Sequence, residues 1–151
     1  ELIDAQRERT GAGVLLVTHD LGVVARLADR VAVMYAGRVV EQGPTARLFA
    51  EPRHPYSVGL ARSVPRLDTP RGQSLSPIRG LPAKNLGLRR GCAFAPRCDF
   101  ARAECVEVDP PERIIDGEGS RAHRVRCHLD DPEPLWATLL RPAARRLEVL
   151  P

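Results

Sequence analysis

The rhythm of apolar and polar positions changes several times along this chain, and each change marks an element. Val14–Val17 is an apolar run without alternation, the pattern of a strand buried on both faces. Thr18, His19 and Asp20 follow it, and then Leu21, Val24, Ala25 and Ala28 fall on one face of a helix predicted over 20–28, with Asp20 suited to its N-cap. Upstream, Glu1–Arg9 has the character of a helix end running into Gly11 and Gly13. Downstream, Val31–Tyr35 and Arg38–Glu41 read as the strands of a hairpin turned at Ala36-Gly37. Gly43-Pro44-Thr45 then opens a short helix through Ala50, with Leu48 and Phe49 facing inward. A further amphipathic helix over Ser57–Ser63 carries Val58, Leu60 and Ala61, and Pro55 fits its first turn.

Beyond Ser63 the periodicity is lost. Pro65, Pro70, Pro77 and Pro82 alternate with Gly72, Gly80 and Gly87 through residues 64–90, so an extended surface path is predicted there. After an Asp109-Pro110-Pro111 turn, Glu112–Ile115 and Arg121–Cys127 can form two short strands around the flexible stretch 116–120. Leu135–Leu140 is apolar enough to dock as a helix turn, with Trp136 as a packing anchor, before Pro142 interrupts it. Residues 143–151 read as a frayed tail.

Length narrows the possibilities. A chain of 151 residues makes one ordinary domain, or part of one with an appendage. The helix-tail opening, without an initial Met, leads us to expect a piece of a longer protein. No apolar run approaches a membrane span and no signal-peptide pattern opens the chain, so a soluble, cytosolic protein is expected. The net charge is +4. Lys84 is the sole lysine, and the arginines are interleaved with acids among few aromatics. Nucleic-acid binding is therefore the weaker reading.

Two places carry candidate chemistry. His19 stands where a core strand ends and a helix begins, the end of an α/β sheet at which ligands bind. Its ring could donate to a phosphate oxygen or orient a water; the spacing alone equally suits a capping or packing histidine. Cys92, Cys98, Cys105 and Cys127 are the chain's only cysteines, spaced C-x5-C-x6-C-x21-C. Two disulfides would need an oxidising compartment. A structural zinc takes four thiolates or imidazoles, usually on shorter knuckles, with His128 offering a further nitrogen. A [4Fe–4S] cluster takes four thiolates around a larger body, Pro96 stands near Cys98 as prolines do near ferredoxin cysteines, and Arg89, Arg90, Arg97, Arg124 and Arg126 could offset its charge. Spacing leaves zinc and iron–sulfur about even, with buried unligated thiols as a third case.

The string Leu16-Val-Thr-His-Asp-Leu-Gly-Val-Val-Ala25, continued by Ala28-Asp-Arg-Val-Ala-Val-Met-Tyr-Ala-Gly-Arg-Val-Val-Glu-Gln-Gly43, closely resembles the switch-histidine segment of ABC transporter ATPases. Glu51-Pro-Arg-His-Pro-Tyr-Ser-Val-Gly-Leu60 is similar to the extension of the oligopeptide, dipeptide and nickel importers within that family. The resemblance implies an α/β fold: the C-terminal part of an ABC-type P-loop ATPase core, followed by a small, loop-rich cysteine module. On this reading residues 1–50 belong to the ATPase core, 51–90 to the peptide-importer extension and linker, 91–130 to a four-cysteine cluster module and 131–151 to a tail, with His54 structural.

The same resemblance implies ATP and Mg²⁺ as cofactors of the parent protein, and His19 in contact with the ATP γ-phosphate and the attacking water. It favours a [4Fe–4S] cluster on Cys92, Cys98, Cys105 and Cys127 over Zn. It implies a second ABC ATPase subunit, transmembrane permease subunits and, indirectly, an extracytoplasmic peptide-binding protein as partners, at the cytoplasmic face of the cell membrane, with no nucleic acid. Phosphoryl transfer needs a phosphate-cradling loop and metal-binding carboxylates. Neither a G-x-x-x-x-G-K-[ST] loop nor a strand ending in paired carboxylates precedes His19, so of the catalytic set only His19 carries over and these residues alone are expected to be inactive. A standalone metal-binding regulatory module, or a basic nucleic-acid-binding zinc module, is the alternative.

Overall fold

The computed structural model describes residues 2–63, 78–81 and 90–129. The predicted helix turn at Leu135–Leu140, the Trp136 anchor, the tail and most of the stretch 64–90 lie outside the described residues.

The first helix, α1 (Leu2–Thr10), ends at Gly11, whose N–H reaches the Arg7 carbonyl at 2.8 Å. Asp20 caps α2 (Leu21–Leu27), its Oδ1 accepting from the N–H of Gly22 at 2.8 Å and of Val23 at 3.2 Å. These are the donors a helix start leaves unpaired. The strand predicted at Val14–Val17 does not form among the described residues: the segment is open chain, with Leu15 92% and Val17 89% exposed. An apolar run of this kind becomes a strand only between neighbouring strands that take up its N–H and C=O groups on both sides, and no described strand lies beside it.

The hairpin is β1 (Arg30–Tyr35) and β2 (Arg38–Pro44), longer than predicted because Gln42–Pro44 stay paired with Arg30–Ala32. Its turn places Ala36 at φ 49° and Gly37 at φ 79°, the two positive values of a turn whose twist suits a hairpin. The register slips between Val33 and Met34, which face Glu41 and Val39, leaving Val40 as the extra residue. A bulge re-aims the side chains beyond it, and here it lets consecutive residues, Val40 and Glu41, both face inward. Helix α3 (Thr45–Ala50) buries Leu48, as predicted, while Phe49 is only half-buried.

The C-terminal strands are β3 (Glu112–Asp116) and β4 (His123–Arg126), antiparallel to each other. They are not a separate unit. Strand β4 also pairs with β2, placing Glu41 opposite Val125 and Gln42 opposite Arg124, so one antiparallel sheet runs in the order β1-β2-β4-β3. The core on this sheet gathers Val33, Tyr35, Val40, Leu48 and Phe94. Phe94 comes from the loop between the first two cysteines, and meets Tyr35 edge-on at 5.3 Å and Tyr56 at 5.4 Å between ring centroids. Such aromatic contacts contribute beyond the area they bury, and here they fasten the cysteine loop to the hairpin.

Candidate functional site

Helix α4 (Pro55–Ser63) is held at its start by two side chains. Pro55 occupies the first helical position, where a missing N–H costs nothing. His54 is the N-cap: its Nδ1 accepts the Tyr56 N–H at 3.0 Å, and its carbonyl takes the Val58 N–H at 3.0 Å. The amides just before the helix are met by Glu41, whose Oε1 accepts from Arg53 N–H at 2.7 Å and whose Oε2 accepts from His54 N–H at 2.8 Å. A carboxylate at a helix start also meets the favourable end of the helix dipole.

Glu41 takes a third bond, from His123 Nε2 at 2.7 Å, with both side chains buried. Gly43 makes that contact possible, because a Cβ there would lie 3.1 Å from the His123 ring and 3.2 Å from its Cα. One carboxylate thus joins β2, β4 and the start of α4. Neither Glu41 nor His123 is singled out by sequence pattern; they are 82 positions apart. The only local signal is the helix start itself, whose donors require an acceptor that the neighbouring sequence does not supply.

The cysteines come from three elements next to this brace. Cys92 and Cys98 bracket a turn and the short 3-10 helix Ala95–Arg97, Cys105 lies in α5 (Ala103–Glu107), and Cys127 directly follows β4. The Cys92 N–H bonds to the Cys105 carbonyl at 2.7 Å. Before it, Gly91 sits at φ +82°, and a Cβ would fall 2.4 Å from the Val106 carbonyl oxygen. Asp109 accepts the Gly91 N–H at 2.8 Å and pairs with Arg38 at 3.0 Å; these donors, Arg38 first, hold its carboxyl below the usual range.

All four cysteines are free thiols and line one largely apolar cavity together with His54 and Phe94. The Cys105 sulfur accepts the Arg102 N–H at 3.5 Å, and backbone N–H groups of Phe94 and Ala95, Phe100 and Leu129 oppose the effect of burial at Cys92, Cys98 and Cys127. Burial pushes the thiols of Cys92 and Cys127 up, and raises Cys98 to about 11, with the nearby cysteines adding to the burial in each case.

Among the described residues, no group of three or more His, Cys, Asp or Glu side chains is arranged to hold a metal ion. Cys92, Cys98, Cys105 and Cys127 surround a space and do not converge on a point. His128 also lines the cavity, its Nε2 donating to the Val108 carbonyl at 2.9 Å.

His19 stands apart from this site. It is exposed in the open segment before α2, flanked by Asp20 in its capping role and by Thr18, whose Oγ1 accepts the Asp20 N–H at 3.0 Å. His54 is different: burial lowers its pKa to about 4, so the ring is neutral, a state consistent with Nδ1 acting as an acceptor.

The family described as the C-terminal region of oligopeptide/dipeptide transporters matches residues 40–105. The oligopeptide transport ATP-binding protein OppD of Mycobacterium tuberculosis is 54% identical over 84% of this chain and 20% of its own length. A putative peptide import ATP-binding protein of Brucella ovis is 47% identical over 82% of this chain and 38% of its own. The dipeptide transport ATP-binding protein DppD of Bacillus subtilis is 45% identical over 92% of this chain and 40% of its own. The chain is similar to these peptide-transporter ATP-binding proteins over most of its own length, and spans between a fifth and two fifths of the length of these relatives.

Proposed function

We propose that these residues are the switch-histidine and C-terminal portion of an ATP-hydrolysing subunit that energises peptide import, and that their four cysteines hold a [4Fe–4S] cluster. What supports the cluster is the gathering of all four cysteines around one cavity. A zinc ion would need four donors about 2.0–2.3 Å from one centre, whereas a cluster presents four corners and suits sulfurs placed around a space. When bound, the cluster supplies a rigid fourfold crosslink and a one-electron couple. The chain's own part is to deliver the sulfurs, Cys92 and Cys98 from a loop pinned by Phe94, Cys105 from α5 and Cys127 from the end of β4, and to direct N–H groups at them.

In the parent subunit we assign His19 the contact with the ATP γ-phosphate and the attacking water, with ATP and Mg²⁺ bound by residues outside this sequence. The partners on this reading are a second ATPase subunit, the membrane permease subunits and, through them, an extracytoplasmic peptide-binding protein. The subunit itself is peripheral: no helix of the described residues is long and apolar enough to cross a membrane.

Analysis of anaerobically purified protein for iron, acid-labile sulfide and zinc tests the cluster. About four irons and four sulfides per chain support it, and Cys→Ser changes at the four positions should bleach the visible absorption. About one zinc without sulfide overturns it. For the ATPase role, His19→Ala in the assembled transporter should lower ATP turnover by about a hundredfold or more; unchanged turnover overturns the assignment.

A further inference from the structure

One short piece of the proline- and glycine-rich stretch is docked, and it docks on the cysteine loop. Residues 78–81 lie against Arg97, which belongs to the 3-10 helix between Cys92 and Cys98. Arg97 Nε donates to the Arg79 carbonyl at 2.7 Å and its Nη2 to the Ile78 carbonyl at 3.1 Å. Its Nη1 donates to the Tyr35 hydroxyl at 3.4 Å. One planar guanidinium therefore spans two successive carbonyls of this strap and a side chain of the hairpin. The Arg79 side chain returns the contact by pairing with Asp99. Both sequence neighbours of Cys98 are thus held by residues 78 and 79.

The strap has a single apolar anchor. Ile78 packs against the core cluster, in a seat left open by Gly59 of α4, where a Cβ would lie 2.8 Å from Ile78 Cγ1. Gly80, at φ +76°, then turns the chain across the Arg97 stem. What holds the strap can be given up locally. The Arg79–Asp99 pair is exposed on both sides and contributes little, and water can take over from Arg97 at the two carbonyls. Long connections on either side, residues 64–77 and 82–89, make leaving and returning cheap in loop entropy.

The loop at 92–98 supplies Cys92, Phe94, Ala95 and Cys98 to one side of the cysteine cavity. Phe94 fastens it from inside, among Tyr35 and Tyr56. The strap fastens it from outside, through Arg97 and Asp99.

We propose that residues 78–81 gate the cysteine cavity: docked on Arg97 they hold the Cys98 end of the loop closed, and released they let it lift and expose the Cys98 thiol. The gate serves whatever reagent or ion the thiols receive, so it does not rest on the cluster reading.

The test frees the strap from either side. Ile78→Asp puts a charge into an apolar seat. Arg97→Lys keeps the positive charge but loses the fork that spans two carbonyls, and Ile78→Val keeps the seat filled. Hydrogen exchange of the Arg97 and Cys98 amides, bonded to the Phe94 and Ala95 carbonyls, is read on the protein as purified. Iodoacetamide alkylation of the thiols is read after metal removal, with Cys127 at the end of β4 as the internal control. In Ile78→Asp and Arg97→Lys both amides and the Cys98 thiol should react about tenfold faster, the scale on which losing such contacts raises local opening. Cys127 should stay within about twofold of wild type, and Ile78→Val should match wild type at every position. Unchanged Cys98 alkylation in both releasing variants overturns the proposal. So does an equal rise at Cys127, the mark of general loosening.

Discussion

Glu41→Ala removes the acceptor of three buried donors at once: Arg53 N–H, His54 N–H and His123 Nε2–H, held at 2.7, 2.8 and 2.7 Å. Each orphaned donor costs roughly 1–3 kcal/mol. The losses are not additive, since water can enter the vacated space, and a total of about 3–5 kcal/mol is at the upper end for one substitution. We expect a destabilisation in that range. Glu41→Gln should cost about 2 kcal/mol, because one oxygen can still serve Arg53 and His123 while the new amide faces the His54 N–H. Two measurements check this: chemical denaturation of the intact protein, and exchange of the Arg53 and His54 amides, which should quicken before global unfolding. Iron content should fall as well, because the same residue holds the start of α4 against the cysteine cavity. If Glu41→Ala loses less than about 1 kcal/mol and both amides stay protected, Glu41 is not the brace described here.

The remaining predictions concern the cysteine loop and the buried histidine. Gly91→Ala should cost at least about 2 kcal/mol and lower iron content by more than half, since its Cβ would collide with the Val106 carbonyl at 2.4 Å in a conformation that disfavours side chains; a normally loaded Gly91→Ala protein would refute the assignment. In metal-free protein at pH 8, Cys98, with its pKa near 11, should alkylate about tenfold more slowly than an ordinary thiol, the greater nucleophilicity of a basic thiolate offsetting part of its scarcity. Its rate should keep rising past pH 10, and a plateau near pH 8.5 would contradict the burial argument. The His54 pKa of about 4 lies below the value of about 6.5 in an unfolded chain. The unfolded state therefore binds the extra proton first, and the stability from the neutral ring, complete above pH 6.5, is lost as pH falls toward 4, by roughly 3 kcal/mol. Metal-free wild type should show that slope and metal-free His54→Asn should lack it; identical profiles would dismiss it.

The sequence by itself determined the elements whose causes are local. Asp20 caps α2 because its carboxylate reaches N–H groups two and three residues on. The Ala36-Gly37 turn makes the β1–β2 hairpin, Pro55 stands at the start of α4, and the pair of strands flanking residues 117–122 forms as the alternation suggests. The family, too, was legible from consecutive residues. The tertiary structure decided what depends on groups far apart in the chain. It left Val14–Val17 unpaired, because a run of valine and leucine has no strand to be until others lie beside it. It carried β4 to β2 so that His123 meets Glu41, turned Glu41 inward through a one-residue bulge, and set Phe94 between the hairpin's Tyr35 and Tyr56 of α4. It also gave His54 its second neighbourhood: its capping role could be read from the proline after it, but its place on the wall of the cysteine cavity could not, because that wall is assembled from α4, the loop at 92–98, α5 and the end of β4. Periodicity encodes which face of an element is buried; which partner covers that face is chosen only when distant segments pack.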